Sequence, residues 1–355
     1  MALADQKSEL FPLLQKALEL ELSTIPPYLT ALLSIAPRAN RVAANLIRGV
    51  MMEEMLHLVL VGNLASSLGC KLQLGKDNFP SYPLRLEFKG EAFKDRDFYI
   101  DLAAFSPESI ATFMKIELPA SLLPKPESME AFSTLEIPNI TIGTFYQAIG
   151  GLLEKICAEF PESEVFSGDP AQQITEEYYW SGGGQPVVIT SLASAQEALN
   201  VIITQGEGGG SSIFDDDKHY FDQPGEVAHY FRFKEIALGR HYRPGDKPSD
   251  PPSGEPFDVD YAAVLPIKRN AKSADYAPGS RLATLNASFN RQYTVLLNQI
   301  EQAISGTPSV LYDAIVNGMH GLTPIALEMM SLRINDAEET RGAPSFEWVT
   351  PLALS

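Results

Sequence analysis

Two of the five histidines in this chain of 355 residues end the same short pattern, a glutamate followed three positions later by a histidine. The pattern occurs at Glu54 and His57, and again at Glu226 and His229. Residues three apart leave the same face of a helix, so each pair can reach one metal ion together. Carboxylate and imidazole together suit iron or manganese.

The first pair lies in a predicted helix over residues 41–68. The apolar stripe of that helix contains Leu46, Val50, Val61 and Leu64. Glu54 and His57 fall on this stripe, where a charged group needs a partner because isolated burial is costly. Glu53 is the alternative ligand, since it lies four residues before His57. The i, i+3 spacing of the second pair favours Glu54.

Two further glutamates complete a ligand set. Glu21 lies on the apolar side of the first predicted helix, whereas Glu19 lies on its polar side. Glu207 ends a later helix, in which Glu197 is the alternative. The resulting order, Glu, Glu-x-x-His, Glu, Glu-x-x-His, is typical of a dinuclear carboxylate centre inside a four-helix bundle.

Four helices must position these residues. Apolar periodicity predicts them over 8–35, 41–68, 191–207 and 224–239. Glu21 and Glu54 are nearly equidistant from the turn near position 38, so an antiparallel pair places them at one height. Glu207 and Glu226 flank position 216 in the same way. The connection between the two pairs then serves as the crossover of the bundle.

Three segments around these residues resemble a known family: LELSTIPPY from Leu20, MEEMLH from Met52 and EVAHYFRFKE from Glu226. They are similar to the ferritin-like domain of the iminophenyl-pyruvate dimer synthase family, over about residues 8–240. The resemblance implies a free-standing member and an oxidative activity, since that family couples arylpyruvate imines in bisindole pigment biosynthesis. The predicted fold class is mainly α, a ferritin-like four-helix bundle with a long elaborated crossover and extra C-terminal helices.

The predicted domain organisation has three parts. Residues 1–240 form the bundle, with a crossover insertion at about 69–190. Residues 241–279 are rich in proline and glycine and predict a surface segment. Residues 280–355 carry a helical pair packed on the bundle. Shorter predicted elements are helices at 106–117, 141–160, 280–304 and 308–334, and weak strands at 85–88 and 187–190.

Several other residues have two interpretations. His219, beside Asp215 to Asp217, belongs to a solvated acidic loop or to an outer metal site. Tyr28 and Tyr230 are core aromatics, or they line a pocket or carry a radical. The cluster 178–180 is a loop or a substrate entrance. His241 and His320 have no partner pattern.

Composition excludes several classes of protein. The chain carries 45 acidic and 27 basic residues, a net charge of −18, which argues against binding to nucleic acid or to anionic lipid. The two cysteines, Cys70 and Cys157, form no Cys-x-x-Cys motif, so neither a disulfide scaffold nor a zinc–thiolate site is predicted. No signal-peptide pattern or membrane-spanning run occurs in the sequence, and we expect a cytoplasmic location.

These observations predict two bound metal ions, iron with manganese as the alternative, and a small-molecule substrate. The predicted ligands are Glu21, Glu54, His57, Glu207, Glu226 and His229. The substrate is an amino-acid-derived metabolite or another small organic molecule, oxidised with O₂ or peroxide. The alternatives are a non-catalytic ferritin-like scaffold and an iron-handling ferroxidase. A homo-oligomer is compatible with the sequence, which identifies no general base.

Overall fold

A computed structural model of the chain describes residues 2–86, 98–122, 141–180, 182–209, 212–215 and 226–350. Its frame is a pair of long helices packed side by side, α1 (Leu3–Ser34) and α2 (Arg41–Ser67). The polypeptide is mainly α, as predicted.

Helix α1 continues through Pro26 and Pro27, within the helix predicted over 8–35. A proline lacks the N–H that would bond the carbonyl four residues earlier, so Pro27 leaves the Ser23 carbonyl without its helical partner. The Tyr82 hydroxyl donates to this carbonyl at 2.8 Å. This hydrogen bond replaces the missing one and compensates for Pro27.

The crossover contributes two helices to the bundle, α3 (Pro107–Ile116) and α4 (Ile142–Glu159). Helix α3 packs on α7 (His229–Leu238), and α4 packs on α6 (Leu192–Glu207). A hydroxyl side chain caps the N-terminus of three of these helices by accepting a backbone N–H, which fixes where each helix begins. The capping residues are Ser106 for α3, Thr141 for α4 and Ser191 for α6.

Helix α7 is shorter than the predicted helix over 224–239. It begins at His229, because Val227 pairs with Phe214 in an isolated β-bridge and holds the preceding residues extended. Residues 224 and 225 lie outside the described residues. Glu226 therefore precedes the helix, and the second Glu-x-x-His pair does not share a helical face.

Short elements complete the crossover. Strands β1 (Leu84–Leu86) and β2 (Phe98–Ile100) form an antiparallel pair, and α5 (Glu162–Val165) is a single helical turn. The predicted strand over 85–88 overlaps β1, although its last two residues lie outside the described residues. Residues 187–190 are not a strand, because they have no ladder partner within the described chain.

The C-terminal helices pack against each other and against the α1–α2 pair. They are α8 (Arg281–Ile304), α9 (Val310–Asp313) and α10 (His320–Ser331), with a π-helical segment, Ala314–Met319, between α9 and α10. One continuous apolar core includes residues from the α1–α2 pair and from the C-terminal helices, such as Leu14, Ile47, Phe289 and Met329. Among the described residues, none of the helices combines the length and the apolar character needed to span a bilayer.

Candidate metal centre

Five carboxylate and imidazole side chains meet in the interior of the bundle, each at most 3% exposed: Glu21, Glu54, His57, Glu117 and His229. They form two groups of three that could each hold a metal ion, with the potential ligand atoms of a group within 4.8 Å of one another. Glu54 belongs to both groups. The two groups therefore define neighbouring halves of one site, which we call the His57 half and the His229 half.

In the His57 half, α1 supplies Glu21 and α2 supplies His57. The Nδ1 atom of His57 lies 3.3 Å from Oε2 of Glu21 and 3.9 Å from Oε1 of Glu54. Its Nε2 atom lies 2.8 Å from Oε1 of Gln205. The Gln205 amide is oriented by donating its NH₂ to the Gly183 carbonyl at 2.9 Å, so its oxygen faces the histidine. Nε2 must then donate, and Nδ1 faces the carboxylates.

Tyr146 supports the carboxylate of the His57 half by donating its hydroxyl to Oε1 of Glu21. Burial alone would raise the pKa of Glu21. The attraction and hydrogen bond of His57, together with the hydrogen bond from Tyr146, outweigh burial, and the pKa of Glu21 lies below its ordinary value. Glu21 is therefore held in its charged form, ready to bind a cation.

In the His229 half, the imidazole lies at the N-terminus of α7. Its Nδ1 atom lies 2.9 Å from Oε1 of Glu54 and 3.4 Å from Oε2 of Glu117, while Nε2 lies 2.9 Å from Oε2 of Glu53. Nδ1 is buried and makes no hydrogen bond to any described residue. A buried nitrogen that faces two carboxylates but bonds neither is well placed to bind a metal ion, so the residues present fit such an ion.

Glu53 is held by an arginine that has no counterpart in the His57 half. Nη1 of Arg232 donates to Oε1 of Glu53 at 2.7 Å, and Nη2 donates to Oδ2 of Asp215 at 3.1 Å. Burial would lower the pKa of Arg232, but the surrounding carboxylates raise it above its ordinary value. Glu53, Asp215 and Glu226 form a third acidic group, and Arg232 already supplies its cation.

Glu54 experiences the strongest repulsion in the site. Burial, followed by the negative charges of Glu117 and Glu21, raises its pKa to about 8. Thr24 on α1 donates its hydroxyl to Oε2 of Glu54 at 2.9 Å, which fixes the carboxylate between the two halves. Without a cation, Glu54 retains a proton near neutral pH. A metal ion would replace that proton.

Glu117 was not predicted from the sequence. It is the C-cap residue of α3, and it accepts a hydrogen bond from the buried hydroxyl of Tyr28. A signal was present, since Glu117 follows the buried residues Phe113 and Ile110 by four and seven positions. We predicted the helix over 106–117 but assigned no ligand to it.

Two predicted ligands lie outside both groups. Each carboxylate oxygen of Glu207 accepts a backbone N–H at 2.9 Å, one from Gly143 and one from Ala120. Glu207 thus caps the first turn of α4, and Gln205 is the α6 residue that faces the site. Glu226 lies in the extended segment before α7. Its side chain is near Arg232 and is 53% exposed. It is not a member of either half, because α7 begins only at His229.

The alternatives at other positions can also be placed. Glu19 lies 3.8 Å from Lys16 on the outer side of α1, and Glu197 is exposed on α6. Nδ1 of His241 lies 3.0 Å from Oε2 of Glu235, away from both halves. His219 lies outside the described residues, so neither of its interpretations is tested.

A family model for ferritin-like proteins matches residues 14–238. The chain belongs to the ferritin-like family. This ferritin-like chain is also similar to a solved structure, a ferritin-like protein from Caulobacter vibrioides, with a TM-score of 0.62 and 20% identity. That likeness covers 91% of this chain and 95% of the other, and it shows a shared fold. A search of curated proteins finds no match.

Proposed function

We propose that this ferritin-like protein binds two metal ions, iron or manganese, and oxidises a small organic molecule with O₂ or peroxide. The observation that carries the proposal is the position of Glu54. One oxygen of this carboxylate, Oε1, lies 2.9 Å from Nδ1 of His229 and 3.9 Å from Nδ1 of His57. A carboxylate between two imidazoles suits a bridging ligand for two ions.

The donor set supports redox-active metals. Three carboxylates and two imidazoles suit iron or manganese better than a thiolate-preferring metal. Five residues do not fill the coordination spheres of two ions, so positions remain for exogenous ligands. Bound iron or manganese would supply the electrons and open positions needed for reaction with O₂ or peroxide.

The protein's own groups have separate tasks in this proposal. Glu53 and Gln205 orient the two imidazoles through their Nε2 atoms. The hydroxyl of Tyr28 donates a hydrogen bond to Glu117, and the hydroxyl of Tyr146 donates one to Glu21. Burial excludes bulk water from all of these groups, which strengthens their electrostatic interactions.

A cavity of about 370 Å³ offers a substrate position near the His57 half. It lies between α1 and the crossover, and Leu20 and Phe145 are among the residues that line it. The ring of Phe145 contacts that of Tyr146 with centroids 5.7 Å apart, and Tyr146 bonds Glu21. The cavity is thus two aromatic rings away from a proposed metal ligand. A substrate there would approach from the crossover side.

The test is metal analysis followed by a reaction with O₂. Purified protein reconstituted anaerobically with iron should hold about two ions per chain. Exposure of the reduced, loaded protein to O₂ should oxidise the iron and give a transient absorption. His229→Ala should remove that signal and leave the helical circular dichroism largely unchanged.

Three outcomes would overturn the proposal. A folded protein that binds neither iron nor manganese would favour a scaffold. Loaded protein that does not react with O₂ or peroxide, with or without arylpyruvates and aromatic amines, would also favour a scaffold. Iron oxidation accompanied by mineral inside a multi-subunit shell would favour iron storage.

A further inference from the structure

A second cavity, of about 670 Å³, lies between the α1–α2 pair and the C-terminal helices. Its volume is in the range of sites for small organic ligands. Leu22 and Met55 line it, and they directly follow Glu21 and Glu54 in sequence. Consecutive residues project about 100° apart around a helix, so this cavity opens on a different side of α1 and α2 from the metal centre.

The wall of this cavity is apolar and elongated. Helix α1 contributes one row that extends roughly 16 Å along its axis, from Leu22 through Ile25 and Leu29 to Leu33. Helix α2 contributes Met51, Met52 and Met55, whose unbranched side chains adapt to irregular ligands. The facing wall comes from α8 and from the π-helical segment, through residues such as Leu296, Ile300, Ile315 and Met319.

The cavity lining includes three basic residues. Arg38, Arg41 and Arg48 line the cavity and are solvent-exposed, and none of the described lining residues is acidic. This is unusual in a chain with 45 acidic and 27 basic residues. Arg48 donates to Oδ1 of Asn45 at 2.9 Å. Within the described part of the chain, Arg38 and Arg41 form no ion pair.

The turn that carries Arg38 is held in a specific shape. Arg38 has a φ of 70°, in the left-handed region that non-glycine residues rarely adopt. The turn is fixed by reciprocal hydrogen bonds between Asn40 and Asp260, at 2.8 Å and 2.7 Å. Backbone strain of this kind persists only where surrounding contacts enforce it, and it is common at binding sites.

We propose that this cavity binds a single-chain carboxylate, such as a fatty acid. The alkyl chain lies along the apolar row of α1, and the carboxylate pairs with Arg38 and Arg41. The guanidinium group matches a carboxylate with paired hydrogen bonds, and the elongated apolar wall suits an unbranched chain. This site is separate from the metal centre and does not depend on the proposed oxidation.

The test is calorimetric titration of the full-length protein with three probes of equal chain length: dodecanoate, dodecanol and dodecylamine. We expect dodecanoate to bind with one site per chain. Dodecanol should bind at least about tenfold more weakly because it lacks the charge, and dodecylamine should not bind. Equal affinity for all three probes, or no binding of dodecanoate, would overturn the proposal.

Variants locate the site. Arg41→Glu should weaken dodecanoate binding at least about tenfold, and its fold should persist because an acidic residue suits the first turn of α2. Arg291→Glu, an exposed position on α8 outside the cavity lining, is the matched control and should bind normally. Met52→Trp should fill the cavity and reduce binding by a similar factor. Unchanged binding in Arg41→Glu and Met52→Trp would contradict the assignment.

Discussion

The two halves of the candidate metal centre offer the same types of side chain but support their histidines differently. A neutral amide, Gln205, accepts the Nε2 hydrogen of His57, whereas a carboxylate, Glu53, faces Nε2 of His229. Glu53 is itself paired with the buried Arg232. A carboxylate makes an imidazole a stronger donor to a metal than an amide does. The His229 half should therefore bind its ion more tightly and favour the higher oxidation state.

Two halves with the same types of ligand side chain can therefore differ in the residues that support them. The supporting residues come from different elements: Gln205 lies at the end of α6, whereas Glu53 lies on α2 and is paired with Arg232 of α7. The pKa of His229 lies well above its ordinary value, because Glu117, Glu53 and Glu54 together outweigh the opposing effect of burial. The pKa of His57 is also raised, mainly by the carboxylate of Glu21, against the opposing effect of burial.

The largest effect should follow removal of the residue that both halves share. Glu54→Ala should reduce bound metal from about two ions per chain to near zero, because each half loses a ligand. Metal analysis after anaerobic reconstitution measures this loss. Glu226→Ala is the matched control, since Glu226 lies in neither half, and it should keep both ions. Equal losses in the two variants would contradict the assignment of Glu54.

Next in size is the loss of Arg232, the buried cation that pairs with Glu53 beside the His229 half. Arg232→Met should lower the free energy of unfolding by about 3–5 kcal/mol, because the buried carboxylate of Glu53 loses the guanidinium group that balances its charge. Chemical denaturation measures this change. Arg291→Met, at an exposed position, should change stability by less than about 0.5 kcal/mol. A small effect for Arg232→Met would show that Glu53 is not held as a charged group.

A smaller effect should distinguish the two supporting residues directly. Glu53→Gln and Gln205→Met each remove the support of one imidazole. Each should weaken the binding of one of the two ions by about 10- to 100-fold. We expect Glu53→Gln to lie near the upper end of this range and Gln205→Met near the lower end. Stepwise metal titration measures each ion separately. The reverse order would break the proposed asymmetry.

The smallest effect is the pH dependence of the metal-free protein. The folded pKa of Glu54, about 8, exceeds its unfolded value, so the folded state holds a proton that the unfolded state has lost. Stability should therefore fall as pH rises from 6 to 8, by about 2 kcal/mol. The raised pKa values of His57 and His229 act in the same direction. Glu54→Gln should flatten the profile in urea denaturation, and an unchanged slope would contradict this origin.

The sequence was sufficient for the parts of the site that depend on helical register alone. Glu21, Glu54 and His57 lie on long helices whose apolar stripes identify the inward side, and the structure brings them together. The mainly α, ferritin-like fold was also predicted and is confirmed. The observed bounds of α4 and α6 agree with the predicted helices within a residue or two, because Thr141 and Ser191 are recognisable caps.

The remaining site residues depend on contacts between distant segments. Glu117 reaches the site because α3 packs on α7, more than 100 positions later, and no local pattern specifies that pairing. Glu226 lies outside both halves because the start of α7 depends on the bridge between Val227 and Phe214. Glu207 also lies outside both halves, because its hydrogen-bond partners, Ala120 and Gly143, belong to the crossover. The division into domains stays a prediction.

The hydrogen bond between Tyr82 and the Ser23 carbonyl has a mechanical consequence. Pro27 leaves the carbonyl of Ser23, two residues after Glu21, without its helical hydrogen bond. The crossover is anchored to this carbonyl through Tyr82. The backbone carbonyl of Tyr82 in turn accepts a hydrogen bond from Lys272 at 2.6 Å. The segments around Tyr82 and Lys272 are thus tied in series to the turn of α1 that carries Glu21. A displacement of the 272 region would be transmitted to Glu21 through two hydrogen bonds, without passing through the apolar core.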